Sequence, residues 1–167
     1  IITEDWCGFL LEQNLDALTV HGRTVKEMSA VPAHWDEIKK VVELKTAMGK
    51  DSCIVGNGDV RSISEAKTRV AETGVDGIMI GRGIFENVWV FNPEIDNETV
   101  SLKERLVVLL RHMELFESTW KGQKNFQILK KFFKIYVKGF DNASELRVQL
   151  MEAKTPEEVT SILKEYT

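Results

Sequence analysis

The sequence predicts an α/β unit with a parallel sheet, followed by a small all-α bundle. Three observations carry this. Residues 53–83 read as strand, glycine turn, helix, strand, glycine turn: Cys53-Ile54-Val55 and Gly77-Ile78-Met79-Ile80 suit buried strands and are too short for helices. A further strand and helix precede that unit, so strands and helices alternate, which implies right-handed crossovers and a parallel sheet. After Gly83 strand signals cease, and helical periodicity takes over beyond a polar stretch.

In chain order, Thr3 is expected to cap a first helix, with Glu4 and Asp5 in its first turn and Trp6, Phe9, Leu10 and Leu11 as its apolar stripe. Asp16–Val20 reads as a buried strand running into His21-Gly22-Arg23-Thr24. A loop containing Pro32 leads to a helix from about His34 to Met48, with Trp35, Ile38, Val41 and Val42 at helical spacing and Gly49 at its end. Ser62-Ile63-Ser64-Glu65 is a capping box, with Glu65 expected to reach back to Ser62, and its helix closes at Gly74. Asn92-Pro93 and the polar run 94–99 suggest a linker.

Ser101-Leu102-Lys103-Glu104 is a second capping box. It opens a helix with Leu102, Leu106, Leu109, Met113, Phe116 and Trp120 on one face. Another helix is expected over about Gln123 to Lys138, with Phe126, Leu129, Phe133 and Tyr136 on one side and Lys124, Lys131, Lys134 and Lys138 opposite. Asn142 and Thr155-Pro156-Glu157-Glu158 open two short final helices, completing a helical bundle.

At 167 residues, 43% hydrophobic and 29% charged, the chain is long enough for a real core. No apolar run approaches the roughly 18 residues of a membrane span. The first residues lack the basic and apolar regions of a secretion signal. Cys7 and Cys53 lie in apolar contexts without metal-ligand spacing. They read as core thiols of a reduced, cytoplasmic protein with neither a metal nor a membrane partner. The chain starts at Ile1 without an initiator methionine and reads as a piece of a longer protein. Residues 1–100 hold 10 basic and 17 acidic residues, whereas residues 101–167 hold 12 and 9. Lys121 to Phe140 carries six lysines and no acid, which points to an anionic partner, nucleic acid or otherwise, or simply to a solvated face.

Three polar turns follow three parallel strands and therefore open on one face, where α/β proteins bind ligands. Gly56-Asn57-Gly58-Asp59 and Gly81-Arg82-Gly83 let backbone N–H groups approach a phosphate, and Arg82 adds a guanidinium fork. Either turn alone is ordinary turn chemistry; on consecutive strands the pair suggests a phosphate site. His21 reads equally as a structural histidine or a site residue. Neither cysteine has a nearby base, so no nucleophile is assigned.

The segments Leu18–Thr24, Ile54–Asp59 and Asp76–Gly83 resemble successive motifs of the tRNA-dihydrouridine synthases in order and spacing. Phe85–Pro93 resembles that family's barrel exit, and Tyr136–Arg147 the end of its helical domain. The resemblance implies the C-terminal part of a TIM (β/α)8 barrel, strands six to eight, followed by a helical tRNA-binding domain. It implies domain limits of 1–92 for a partial FMN-binding barrel, 93–100 for a linker and 101–167 for the helical domain. It implies FMN as cofactor, held by His21, Asn57, Gly58, Asp59, Gly81 and Arg82, and NADPH as the reductant that serves conversion of uridine to dihydrouridine. Lys124, Lys131, Lys134, Lys138 and Arg147 would face the tRNA. The family's catalytic cysteine and flavin-contacting lysine lie on earlier segments, so no catalytic residue is assigned here and the chain alone is expected to be inactive. Residues 129–135 depart from the basic pattern common in relatives. Two alternatives are another FMN-dependent barrel oxidoreductase acting on small molecules, and a non-enzymatic RNA-binding remnant.

Overall fold

The computed structural model describes residues 2–166. It divides into two compact units, Ile1–Pro93 and Glu94–Thr167. The first holds α1 (Thr3–Glu12), β1 (Ala17–His21), α2 (Trp35–Ala47), β2 (Cys53–Asn57), α3 (Ile63–Thr73), β3 (Gly77–Met79) and a 3₁₀ turn at Arg82–Phe85. The strands form one parallel sheet in the order β1-β2-β3. Alternation along each strand divides the residues between two faces. Leu18, Val20, Ile54, Ile78 and Ile80 pack with Cys7 and Leu11 of α1, Trp35, Ile38 and Val41 of α2, and Ala66 of α3. On the other face Ala17, Thr19, His21, Cys53 and Met79 are exposed.

Several local expectations change. Ile2, not Thr3, is the N-cap of α1, and Thr3 is already helical. The stripe of α1 is Cys7 and Leu11, one helical turn apart; Trp6 and Phe9 are exposed and stack on each other at 5.8 Å between ring centres. Cys53 is exposed rather than core, because the alternation that buries Ile54 turns Cys53 to the open face. Cys7 is buried, and burial pushes its thiol pKa up. Ser62 accepts from the Glu65 N–H at 3.1 Å, but the Glu65 carboxylate takes the Arg61 N–H at 3.0 Å, one residue beyond the cap. Gly74 closes α3 in the left-handed conformation.

In the second unit, α4 (Leu102–Trp120) opens with both halves of its capping box and buries Leu106, Leu109 and Met113. The single helix expected over residues 123–138 is instead two one-turn helices, α5 (Gln127–Lys130) and α6 (Phe133–Tyr136). The tighter i to i−3 bonds from Leu129, Phe132 and Ile135 back to Phe126, Leu129 and Phe132 replace the α-helical ladder. Phe126, Leu129, Phe133 and Tyr136 are nevertheless all buried, because spacings of three and four keep them on one side of either helix type. α7 (Ala143–Glu152) and α8 (Pro156–Leu163) follow, the latter capped by Thr155.

Candidate functional site

Parallel strands place their carboxyl ends side by side, so the loops after β1, β2 and β3 gather at one end of the sheet. His21, Asn57 and Met79 stand opposite one another in register. His21 Nδ1 lies 3.2 Å from the Asn57 carbonyl, which also accepts from the Gly22 N–H at 2.9 Å. A carbonyl only accepts, so in the neutral ring the proton sits on Nδ1 and Nε2 is left as an acceptor. The Asn57 amide donates to the Met79 carbonyl at 2.8 Å, tying β2 to β3 at the sheet end.

The loop after β1 folds back over the sheet end. Gly58 permits this: a Cβ there would stand 2.5 Å from the Ala33 Cβ, and its φ is +151°. Trp35, the first residue of α2, donates from its indole to the Gly58 carbonyl at 3.1 Å. Its ring sits against Gly56, where a Cβ would come within 2.6 Å. Thr24, Glu27 and His34 stiffen the loop. Glu27 accepts from the Thr24 N–H at 2.8 Å, the Thr24 hydroxyl at 2.9 Å, and faces His34 Nε2 at 2.9 Å. The Thr24 backbone N–H, with His34 and the Thr24 hydroxyl, holds the Glu27 pKa down to about 2.

Asp59 joins the three loops. One oxygen accepts from the Arg23 guanidinium and, at 2.9 Å, from the Ala33 N–H; the other lies 3.5 Å from Arg82. The bond from Arg23 holds the Asp59 carboxyl below its usual range, against the opposing effect of burial, with Ala33 and Arg82 adding to it. Arg23 also donates from Nε to the Val31 carbonyl at 2.6 Å, and its Nη1 is buried without a hydrogen-bond partner among the described residues. The two arginines differ in exposure. The Arg23 side chain is 4% exposed and that of Arg82 64%, so of these two it is Arg82 that offers its charge to an incoming anion. Arg82 is steadied by the Ser29 hydroxyl, to which it donates at 2.7 Å.

His21, Asn57, Gly58, Asp59, Gly81 and Arg82 all line one open cleft of about 890 Å³. A smaller apolar cavity of about 310 Å³ lies between α1, β1 and α2, and His21 borders it as well. An exposed guanidinium, two glycines and a histidine acceptor fit a ligand bearing a phosphate and hydroxyl groups. Sequence reasoning missed Arg23, Ser29 and Trp35. Arg23 stands two residues after His21 in a strand-end turn, and Asp59 needs a cation, which was the available signal.

In the second unit, Lys124, Lys131 and Lys134 are exposed, and Lys138 and Arg147 are half-buried. Lys124 lies over the Trp120 ring at 5.2 Å and Lys131 over Phe132 at 4.8 Å. Arg147 donates to the Val137 carbonyl at 2.9 Å. Lys130 is buried, donating to Gln127 at 2.8 Å and to the Met151 carbonyl, so it is structural. Among the described residues, no helix is long and apolar enough to cross a membrane, and no group of three His, Cys, Asp or Glu residues is placed to hold a metal ion.

Residues 3–167 match the family described as Dihydrouridine synthase (Dus). The chain is 38% identical over 164 residues to a protein of Staphylococcus aureus (strain MRSA252) named "Probable tRNA-dihydrouridine synthase", covering 98% of this chain and 49% of that protein. A Staphylococcus epidermidis protein of the same name is 40% identical over 160 residues, covering 95% and 48%. "Probable tRNA-dihydrouridine synthase 2" of Bacillus subtilis (strain 168) is 38% identical over 163 residues, covering 97% and 50%. The chain thus spans about half the length of the curated relatives it matches.

Proposed function

The chain belongs to the dihydrouridine synthase family, and from that premise we propose that it is the C-terminal portion of an FMN-dependent tRNA-dihydrouridine synthase. Its three strands correspond to strands six to eight of a TIM barrel within residues 1–92. Residues 93–100 are the linker, and residues 101–167 are the helical domain that meets tRNA. FMN, once reduced by NADPH, would supply the hydride that converts uridine to 5,6-dihydrouridine.

The observation that carries this reading is the exposed Arg82 guanidinium beside Gly81 and Gly58 at the ends of neighbouring parallel strands. Asn57, Gly58 and Asp59, with Gly81 and Arg82, would hold the ribityl-phosphate, and His21 would contact the flavin. His21 can accept a hydroxyl proton at Nε2 while Nδ1 stays on the Asn57 carbonyl. In the helical unit, Lys124, Lys131, Lys134, Lys138 and Arg147 contribute positive charge toward the tRNA backbone, where phosphate contacts make binding salt-dependent. None of the residues in this chain is assigned to protonate the uracil, so the 167 residues alone are expected not to reduce uridine.

The test is a titration with FMN followed by flavin fluorescence, with Arg82→Ala alongside. Saturable binding that this substitution weakens by about tenfold, the scale of one charge-assisted bond, supports the site. Failure to bind FMN, by this chain and by the same chain with its preceding coding sequence restored, removes the flavin reading.

A further inference from the structure

A carboxylate in a cleft that receives a phosphate needs a reason, since two anions at close range repel. Asp59 stands in this cleft with 31% of its side chain exposed. Each group that meets its oxygens is a donor. Oδ2 accepts from Arg23 and from the Ala33 N–H, and Oδ1 faces Arg82 at 3.5 Å. One side chain thereby joins the loops that follow all three strands. Arg23, Asp59 and Arg82 together carry a net positive charge, which Arg61, Glu65 and Glu86 in the same cleft offset, so an anion is met by the exposed Arg82 guanidinium rather than by a net field.

Arg82 is the member that needs help. A long, largely exposed arginine loses rotamer freedom when it grips a ligand, and anchors that hold it in place beforehand reduce that loss. It has two: the Ser29 hydroxyl at 2.7 Å and Asp59 Oδ1. Arg23 is different, because it is buried and Asp59 is its acid partner; there the carboxylate neutralises a charge that cannot reach solvent.

We propose that the Asp59 carboxylate is a positioning group: it orients the Arg82 guanidinium for the phosphate of the ligand and acts on the ligand through that arginine. This rests on the flavin reading above. It separates the six residues expected to hold the cofactor into those that would touch it and one that acts through another.

Asp59→Asn tests it with little change of shape. The amide oxygen can keep the place of Oδ2, accepting from Arg23 and Ala33. The NH₂ then takes the place of Oδ1 and meets Arg82 donor to donor. Purified protein is titrated with FMN and with riboflavin, which has the same ring and ribityl chain without the phosphate. The substitution is expected to weaken FMN about tenfold and leave riboflavin unchanged. The double variant Asp59→Asn/Arg82→Ala is expected to bind FMN no more weakly than Arg82→Ala alone, because both remove one interaction.

Tighter FMN binding in Asp59→Asn would mean that the carboxylate only repels phosphate, and would overturn the proposal. Equal losses for FMN and riboflavin would make Asp59 a direct ligand, and unchanged FMN would make it irrelevant to binding; either outcome also overturns it. Asp59→Glu keeps the charge beside Arg23 and serves if the Asn variant does not fold: it displaces the oxygens by one methylene and is expected to weaken FMN alone. Wild-type protein that binds neither FMN nor orthophosphate, alone and with its preceding coding sequence restored, removes the flavin reading and this proposal together. Wild-type protein that prefers FMN to riboflavin, with Asp59 variants unaltered, removes only the proposal.

Discussion

The Trp35 indole donates to the Gly58 carbonyl at 3.1 Å while its ring rests on Gly56, so the first residue of α2 clamps the turn that ends β2. Trp35 is 6% exposed, and replacing it leaves the Gly58 carbonyl without that donor. Trp35→Phe is therefore expected to destabilise the first unit by about 1–3 kcal/mol. Urea unfolding should show a lower midpoint with an unchanged slope.

Glu27 ties the loop after β1 through Thr24 and His34, and its pKa is lowered from 4.5 to about 2 in the folded protein. A depressed carboxyl pKa stabilises the fold above the unfolded value and loses that contribution as pH falls through the folded one. The melting temperature of the wild type should exceed that of Glu27→Gln at about pH 6, and the gap should narrow between pH 4.5 and 2. A gap that stays constant across that range would exclude ionic stabilisation by Glu27.

His112 in α4 places Nδ1 at 3.0 Å from the Tyr136 hydroxyl, and burial lowers its pKa from 6.5. A lowered histidine pKa means that the unfolded chain takes up the proton first, so stability falls as pH drops below 6.5. His112→Gln should flatten that slope in thermal melts between about pH 7 and 5.

Lys130 and Lys134 lie four residues apart in sequence and should behave oppositely. Lys134→Ala should leave stability within about 0.5 kcal/mol and, on the tRNA-binding reading proposed above, reduce the dependence of tRNA affinity on salt. Lys130→Ala removes a buried side chain that bonds Gln127 and Met151. It should lower stability by about 1–3 kcal/mol. Chemical melts and filter binding over a salt series separate the two effects.

Signals carried by neighbouring residues are legible in the amino-acid sequence. The Ser101 capping box, the left-handed end at Gly74 and the Pro156 start of α8 all stand where short-range chemistry puts them. Errors arise where a local pattern fits two arrangements. Phe126, Leu129, Phe133 and Tyr136 suit one α-helix or two tight turns equally, and backbone hydrogen bonds through this segment decide for the turns. Cys53 reads as core because an apolar triplet carries no alternation from which to tell which face of the sheet the helices cover.

The sequence by itself determined the order of strands and helices in the first unit, the three strand-end turns on one side, and part of the set of residues that meet there, without Arg23, Ser29 and Trp35. Those follow from periodicity, glycine placement and the parallel crossover, all of which are local or topological. Only the tertiary structure decided which of two similar arginines is exposed. Arg23 and Arg82 each follow a glycine just past a strand, yet the loop closing over Gly58 buries Arg23 against Asp59 and Val31. Arg82 keeps its charge in the open cleft because the 3₁₀ turn it begins leaves its side chain on the surface. Burial is set by what folds across a residue from elsewhere in the chain, and no pattern around Arg23 or Arg82 encodes it.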